Sequence, residues 1–425
     1  MKTSQPSSKP QIELIPLRPV LTSDQPTSLD LLVKITPPAP AQSIDRPPLN
    51  LGLVIDRSGS MHGSKIDYAR QAACYAVEQL LPTDRISVTI FDDRVETIVP
   101  AMPAVDKPRI IRVIRQIQER GSTALHAGWV EGGIQVGQHL HPDHLNRVIL
   151  LSDGLANVGE TNPDTIASDV HGLAQRGIGT TTMGVGNDYS EDLLEAMARS
   201  GDGNFYHIES PQQLPAIFQA ELHGLMATCG QKVSLGIEPQ TDVTVVDVLN
   251  DLDKTSYGRL KLPNLIVGNS IYIVVRLRVP AMSRESDLCG FRLAWDDPNQ
   301  AGRQSLRVML RLPVVKTSQL PDFPPNAEVQ EQIALLMAAR AKAEVERSLD
   351  RGDLSAAQQS IQAARVMMAA APMFSEVSQQ EIDLLADLEA DLSRGDIARS
   401  RKKSFAQRYS RQRSMPSQPP SDSNQ

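Results

Sequence analysis

The chain has 425 residues, of which 40% are hydrophobic and 22% charged, and its formal net charge is −7. This length and apolar content predict two or three domains with substantial cores, and the negative charge argues against general binding of nucleic acid by the main body. Three cysteines, Cys74, Cys229 and Cys289, are far apart and odd in number, so they predict neither a disulfide framework nor a zinc site and favour a reducing, cytoplasmic compartment.

The first 48 residues predict two strands that lack partners of their own. Residues 1–10 are polar and rich in Pro and Ser, without the apolar core of a signal peptide, and we expect them to be disordered. Within residues 11–48, Ile12–Arg18 and Ser28–Ile35 alternate like strands, before a Pro-rich stretch. Because two strands do not form a stable sheet, they need partners further along the chain. No segment reaches the about 18 uninterrupted apolar residues of a transmembrane helix.

The next segment, Leu51–Met61, is an apolar run that ends in Asp56-x-Ser58-x-Ser60. Continuous apolar character indicates a strand buried on both faces, and the residues after Gly63 have helical spacing. One carboxylate and two hydroxyls would then lie at the carboxyl end of a buried strand, where open α/β sheets bind ligands. An all-oxygen set suits a hard cation, Mg²⁺ best. Taken alone, the pattern is explained equally well if Asp56 and Ser58 cap the helix.

Strands alternate with helices from residue 49 to residue 225, which predicts a doubly wound, mostly parallel sheet. The predicted strands after the first are Arg85–Phe91, Val95–Val99 at the sheet edge, Arg147–Leu151, Gly179–Val185 and Asn204–Ile208. The predicted helices after the first are Arg109–Gln118, Leu125–Val136, Pro163–Gln175, Glu191–Arg199 and Pro211–His223.

Two later motifs, taken with the first, resemble those of von Willebrand factor type A (VWA) domains. Gly121-Ser-Thr-Ala-Leu125 is similar to the loop whose threonine binds metal in that family, and Leu150-Leu-Ser-Asp-Gly154 to the strand end that carries its second aspartate. The resemblance covers roughly residues 49–225. It implies a metal-ion-dependent adhesion site whose ligands, direct or through water, are Asp56, Ser58, Ser60, Thr123 and Asp153.

Residues 230–315 contain six alternating β patterns, one of them Tyr257–Leu262, typical of an antiparallel sandwich. We expect the strands of residues 11–48 to complete it, so that the VWA domain is inserted in a discontinuous β-sandwich. The resemblance implies comparable pairings of VWA and β-sandwich domains in larger relatives, such as the inter-alpha-trypsin inhibitor heavy chains and bacterial homologues.

The last hundred residues predict helices and then a basic tail. Residues 326–394 have the pattern of a helical bundle or hairpin. From Arg394 onward the chain carries eight Lys or Arg against two Asp, and we expect residues 395–425 to be a disordered tail. A plain solvated tail is the preferred interpretation, with attraction to an anionic surface or to the acidic body as alternatives.

The resemblance implies recognition rather than catalysis. Neutral hydroxyls and at most two carboxylates leave Mg²⁺, or Mn²⁺ or Ca²⁺ as alternatives, under-neutralised, so an Asp or Glu of a protein partner can complete the coordination. One competing hypothesis is a metal-dependent hydrolase with His62 or His126 as base. Another is a scaffold whose metal is only structural. The stretch Gly59-x-x-x-Gly63-Ser-Lys65 is one residue short of a phosphate loop, and we place Lys65 on the first turn of the helix.

Overall fold

The computed structural model describes residues 9–38, 47–153, 156–186, 189–240, 242–298, 300, 302–371 and 375–415. Their chain divides into two compact units, one drawn from Met1–Ile44 and Ala227–Ser417, the other from Asp45–Met226. The first unit begins with three strands, β1 (Gln11–Pro16), β2 (Leu21–Thr22) and β3 (Thr27–Thr36). The expected disorder of residues 1–10 concerns mainly residues 1–8, which lie outside the described residues.

The second unit is built on a six-stranded sheet in the order β6-β5-β4-β7-β8-β9. Its strands are β4 (Leu49–Asp56), β5 (Arg85–Phe91), β6 (Val95–Pro103), β7 (Leu145–Ser152), β8 (Ile178–Val185) and β9 (Phe205–Ile208). The edge strand β6 runs antiparallel to β5, and the other neighbours are parallel. The predicted fold class, a mostly parallel α/β sheet, is therefore confirmed.

In the described residues of this unit, five helices lie between these strands and a sixth follows β9. They are α1 (Ser64–Gln79), α2 (Lys107–Arg115), α3 (Leu125–Gly137), α4 (Pro163–Gln175), α5 (Glu191–Ser200) and α6 (Leu214–Met226). Side chains satisfy free amides at several of their starts: Asp106 caps α2, Asn162 caps α4 and Ser190 caps α5.

Strands β4 and β7 form the centre of this sheet, and every residue of both is buried. They pair in parallel, with Ile55 opposite Leu151. Because parallel strands end at the same edge of a sheet, the residues that follow them meet there. The topology thus brings the loops after Asp56 and Ser152 to one place.

The first unit resumes with eight strands. They are β10 (Thr228–Pro239), β11 (Thr244–Val248), β12 (Leu260–Lys261), β13 (Leu265–Ile266), β14 (Ile271–Val279), β15 (Asp287–Asp296), β16 (Arg303–Arg311) and β17 (Val314–Val315). The region expected as a strand from Tyr257 to Leu262 is reduced to β12, because Tyr257 is 88% exposed and Gly258 turns the chain with a φ of 72°.

Two antiparallel sheets of this unit share one core. One has the order β1-β3-β14-β11, and the other contains β12-β10-β15-β16 with β13 beside β10. Alternate residues of β3, such as Leu31 and Val33, enter a core cluster with Leu235 and Phe291 of the second sheet. The amino-terminal strand β3 therefore belongs to the same sheet as β14, with which it pairs along its length.

The described part of the first unit ends in four helices, α7 (Ala327–Asp350), α8 (Leu354–Ala369), α9 (Glu376–Ser393) and α10 (Ile397–Gln412). Helix α7 covers the outer face of the first sheet, where Val329 and Leu336 pack with Leu32 and Val274. Ala338, Ala364 and Leu385, from α7, α8 and α9, share a further apolar cluster.

The prediction of a disordered tail over residues 395–425 is wrong for residues 397–412, which form α10. Phe405 and Tyr409 are each 2% exposed, and basic side chains of α10 meet acidic ones of α7 and α9. These ion pairs include Arg401–Asp350, Lys403–Asp391 and Arg408–Glu346. The basic charge is therefore neutralised within the unit. Residues 416–425 lie outside the described residues.

Among the residues that the structure describes, no helix combines the length and the apolar character needed to cross a membrane.

Candidate metal site

Asp56 ends the central strand β4 with its side chain fully buried. Its Oδ1 accepts a hydrogen bond from the Ser58 amide at 2.8 Å, and its Oδ2 accepts one from the Ser152 hydroxyl at 2.6 Å. Burial raises the pKa of Asp56 to about 6, the hydrogen bonds from Ser152 and Ser58 oppose this rise, and the charge of Asp153 adds to it. The loop after β4 and the last residue of β7 thus hold this carboxylate in place.

Hydroxyl groups connect the first loop to the second aspartate. The Ser60 hydroxyl donates to Asp153 Oδ1 at 2.8 Å, and Ser58 Oγ lies 3.0 Å from Ser60 Oγ. Because Ser60 gives its proton to Asp153, Ser58 is the donor to Ser60. Four of the five predicted site residues therefore belong to one hydrogen-bonded group at the carboxyl edge of β4 and β7.

The fifth, Thr123, is buried on a loop that is tied to both neighbouring loops. Its loop is joined to the first one by the hydrogen bond from the Gly59 amide to the Gly121 carbonyl, at 3.0 Å. On the other side, the Thr123 amide donates to Asn157 Oδ1 at 2.8 Å. Gly121 has a φ of 74°, and a Cβ there would lie 2.4 Å from Asp93 Oδ1, so the turn requires glycine.

Asp92 also holds this loop in place, and the sequence analysis did not identify it. Its buried carboxylate lies 2.8 Å from Arg57 Nε and 2.7 Å from Arg120 Nε. Its carbonyl accepts a hydrogen bond from the Ala124 amide. A single buried acid therefore joins residues on either side of Thr123 to the loop after β4. An aspartate directly after β5 is the signal that could have found it.

Lys65 lies on the first turn of α1, as predicted, and its ammonium reaches the site. Nζ is 2.5 Å from Asp153 Oδ2, and the Lys65 side chain is 20% exposed while that of Asp153 is fully buried. The sequence placed this lysine on the helix without assigning it any part in the site.

The two histidines weighed as catalytic bases face other carboxylates. His62 is 83% exposed and pairs with Glu119 at 3.0 Å, and His126 pairs with Asp169 at 2.9 Å. Within the described stretches, no three His, Cys, Asp or Glu side chains gather as a metal-binding group. What the edge offers instead is the two carboxylates and two hydroxyls of one hydrogen-bonded group, with the buried Thr123 on a loop tied beside them. Oxygen donors of this kind fit Mg²⁺.

A doubly wound sheet with an Asp-x-Ser-x-Ser loop after its central strand defines a class of protein, and comparison with known families names it. The model of the von Willebrand factor type A domain matches residues 50–220. Residues 50–220 form a VWA domain. Domains of this family generally mediate protein–protein interactions or adhesion.

Individual relatives extend the comparison beyond this domain. The uncharacterized protein sll0103 from Synechocystis is 28% identical over 81% of this chain and 86% of its own length. The rat inter-alpha-trypsin inhibitor heavy chain H3 is 29% identical over 37% of this chain, and the match spans 18% of the heavy chain. The solved structure described as von Willebrand factor type A from Catenulispora acidiphila superimposes with a TM-score of 0.69 at 16% identity, covering 97% of this chain and 98% of the other. That structure shares the fold of both units, and none of these names is that of an enzyme.

Proposed function

We propose that the protein is a divalent-metal-dependent recognition module that binds a protein partner through an Asp or Glu of that partner. The observation that carries this proposal is the hydrogen-bonded group of Asp56, Ser58, Ser60 and Asp153 at one sheet edge, with the loop of Thr123 tied beside it. All five side chains offer oxygen, which favours Mg²⁺, with Mn²⁺ or Ca²⁺ as alternatives.

In this proposal the hydroxyls of Ser58, Ser60 and Thr123 supply neutral oxygens, and Asp56 and Asp153 bind directly or through water. On metal binding, the Ser58 hydroxyl would rotate its proton away from Ser60, and the Ser60 hydroxyl would rotate its proton away from Asp153. Each hydroxyl oxygen has lone pairs that it can then present to the cation. When bound, Mg²⁺ supplies a positively charged coordination position that a partner's carboxylate can fill.

A hydrolase is the weaker candidate. General-base catalysis needs a group within hydrogen-bond reach of the attacking water, and His62 and His126 are paired with Glu119 and Asp169 instead. If the metal were only structural, the positive charge that two carboxylates leave on it would have no function. We therefore favour recognition, in a reducing compartment such as the cytoplasm, since Cys74, Cys229 and Cys289 are all free thiols.

Affinity capture with the full chain tests the proposal. The immobilised protein is exposed to lysate in Mg²⁺, in chelator, and as the Asp56→Ala variant, with captured proteins identified by mass spectrometry. We expect a partner that is retained in Mg²⁺ and lost in both other arms. Asp67→Ala is the matched control, because Asp67 is an exposed α1 aspartate paired with Arg70, and it should retain the partner.

The ligand assignment has its own measurement. Titration calorimetry should show weaker Mg²⁺ binding in Thr123→Ala and near-normal binding in Thr123→Ser, which keeps the hydroxyl. Equal affinity in wild type and Thr123→Ala would contradict the assignment of Thr123. A partner retained equally in Mg²⁺ and chelator would support the scaffold hypothesis instead.

A further inference from the structure

Lys65 reaches the site from the first turn of α1. Its stem passes over Gly186, at the end of β8, where a Cβ would lie 2.9 Å from Lys65 Cε and 3.5 Å from Cδ. A side chain at this position would therefore require the lysine stem to shift. The ammonium ends 2.5 Å from Asp153 Oδ2. The lysine thus enters the site along a passage that a glycine leaves open.

This contact changes the charge that a metal ion would meet. Both oxygens of Asp153 accept hydrogen bonds, Oδ1 from Ser60 and Oδ2 from Lys65. Two carboxylates and one ammonium sum to a formal charge of −1. Since Asp153 is fully buried and Lys65 is 20% exposed, solvent screens this pair less than it would a surface pair.

We infer that Lys65 is an internal cation that lowers the affinity of the site for its divalent metal by neutralising Asp153, an inference that rests on the proposed function. The lysine repels a second cation, and it holds one carboxylate oxygen that a metal would otherwise use. A partner's Asp or Glu adds back the negative charge that Lys65 removes. Metal and acidic partner are therefore expected to bind with positive coupling, each raising the affinity for the other.

The test is a titration of the full chain with Mn²⁺, followed by electron paramagnetic resonance, and with Mg²⁺ as competitor. Lys65→Met keeps an unbranched apolar stem without the charge, and we expect it to bind either ion roughly tenfold or more tightly than wild type. Lys107→Met is the matched control, because Lys107 lies in the same unit and donates to the Glu78 carbonyl. It should bind as wild type does.

A second readout follows the lysine itself. In ¹⁵N-labelled protein the Lys65 ammonium resonance, assigned by its absence in Lys65→Met, should shift on addition of Mg²⁺. If Lys65→Met fails to fold by circular dichroism, Lys65→Gln takes its place in both measurements.

The outcomes separate the inference from the proposed function. If wild type binds metal, Asp56→Ala abolishes binding and Lys65→Met has wild-type affinity, the inference is overturned and the proposed function stands. If neither wild type nor the lysine variant binds metal at millimolar concentration, both are overturned. Binding by Lys65→Met far above that of wild type supports both.

Discussion

Lys342 Nζ lies 2.6 Å from Glu381 Oε1 in the helical part of the first unit, where both side chains are 1% exposed. Glu381 Oε2 also accepts from Arg411 at 3.3 Å, so this carboxylate links α7, α9 and α10. Burial opposes its ionisation, yet the charges of Lys342 and Arg411 hold the pKa of Glu381 below its usual value. The buried acid stays charged because two cations surround it.

Removing one partner of this ion pair should destabilise the first unit. Lys342→Met leaves Glu381 with Arg411 alone, and we expect unfolding free energy to fall by about 3 kcal/mol. The double variant Lys342→Met, Glu381→Leu should recover most of that loss, because no unpaired buried carboxylate remains. The unfolding free energies of both variants are measured by urea unfolding of protein labelled with 5-fluorotryptophan. The fluorine signal of Trp295 reports on the first unit and that of Trp129 on the second. A single variant as stable as wild type would contradict this account.

The ion pair between Arg340 and Asp247 should make stability depend on pH. Arg340 donates to both carboxylate oxygens, at 2.7 and 3.0 Å, and this lowers the pKa of Asp247. Because the pKa of Asp247 is lower in the folded state than its ordinary value of 3.8, its ionisation stabilises the fold at pH values above 3.8. This contribution is lost as the pH falls through the folded-state pKa. The stability difference between wild type and Arg340→Met should be present at pH 7 and shrink below pH ~4. A difference that stays constant from neutral to acid pH would show that Asp247 is not involved.

Helix α10 should contribute to the core of the first unit through its aromatic residues. Phe405 is 2% exposed, and Phe405→Ala should cost about 3 kcal/mol because it leaves a cavity. Ile397, on the same helix, is 42% exposed, so Ile397→Ala should change the unfolding free energy by less than about 0.5 kcal/mol. The fluorine signal of Trp295 in urea gives both values. Equal effects of the two substitutions would mean that α10 is not docked.

Substitution by alanine at two helical glycines of the VWA domain should change the unfolding free energy in opposite directions. A Cβ at Gly132 in α3 would lie 2.2 Å from Val54 Cγ2, whereas one at Gly172 in α4 has no heavy atom within 4 Å among the residues described. Gly132→Ala should lose about 2 kcal/mol by overpacking, and Gly172→Ala should gain up to about 1 kcal/mol from helix propensity. The fluorine signal of Trp129 reports both. A stabilised Gly132→Ala would refute the close contact of α3 with β4.

Sequence patterns were sufficient where one local rule decides the structure. The alternation of buried strands and amphipathic helices predicted the sheet, and Asp56-x-Ser58-x-Ser60 placed a polar loop at its edge. Contacts made by residues distant in sequence were not accessible in this way. Lys65 approaches Asp153, and Asp92 meets Arg120, only once separate strand ends lie side by side.

The tail shows a different limit. Its composition alone predicts disorder, because eight basic residues repel one another. In the folded chain, acidic residues of α7 and α9 lie opposite them and remove that repulsion. The spacing of Phe405 and Tyr409, one helical turn apart, after Asp396 as a cap, is the signal that composition obscured.

The pairing of β3 with β14 has a consequence for synthesis on the ribosome. Leu32 in β3 pairs with Val274 in β14, which is synthesised later. At a synthesis rate of about 5–20 residues per second, the delay between the two is roughly 10–50 s. During that time the VWA domain can fold by itself, since its strands pair with one another. The edge of β3 that later pairs with β14 meanwhile lacks its partner, which is a hazard for association between nascent chains. We expect this strand to be the segment that molecular chaperones bind first.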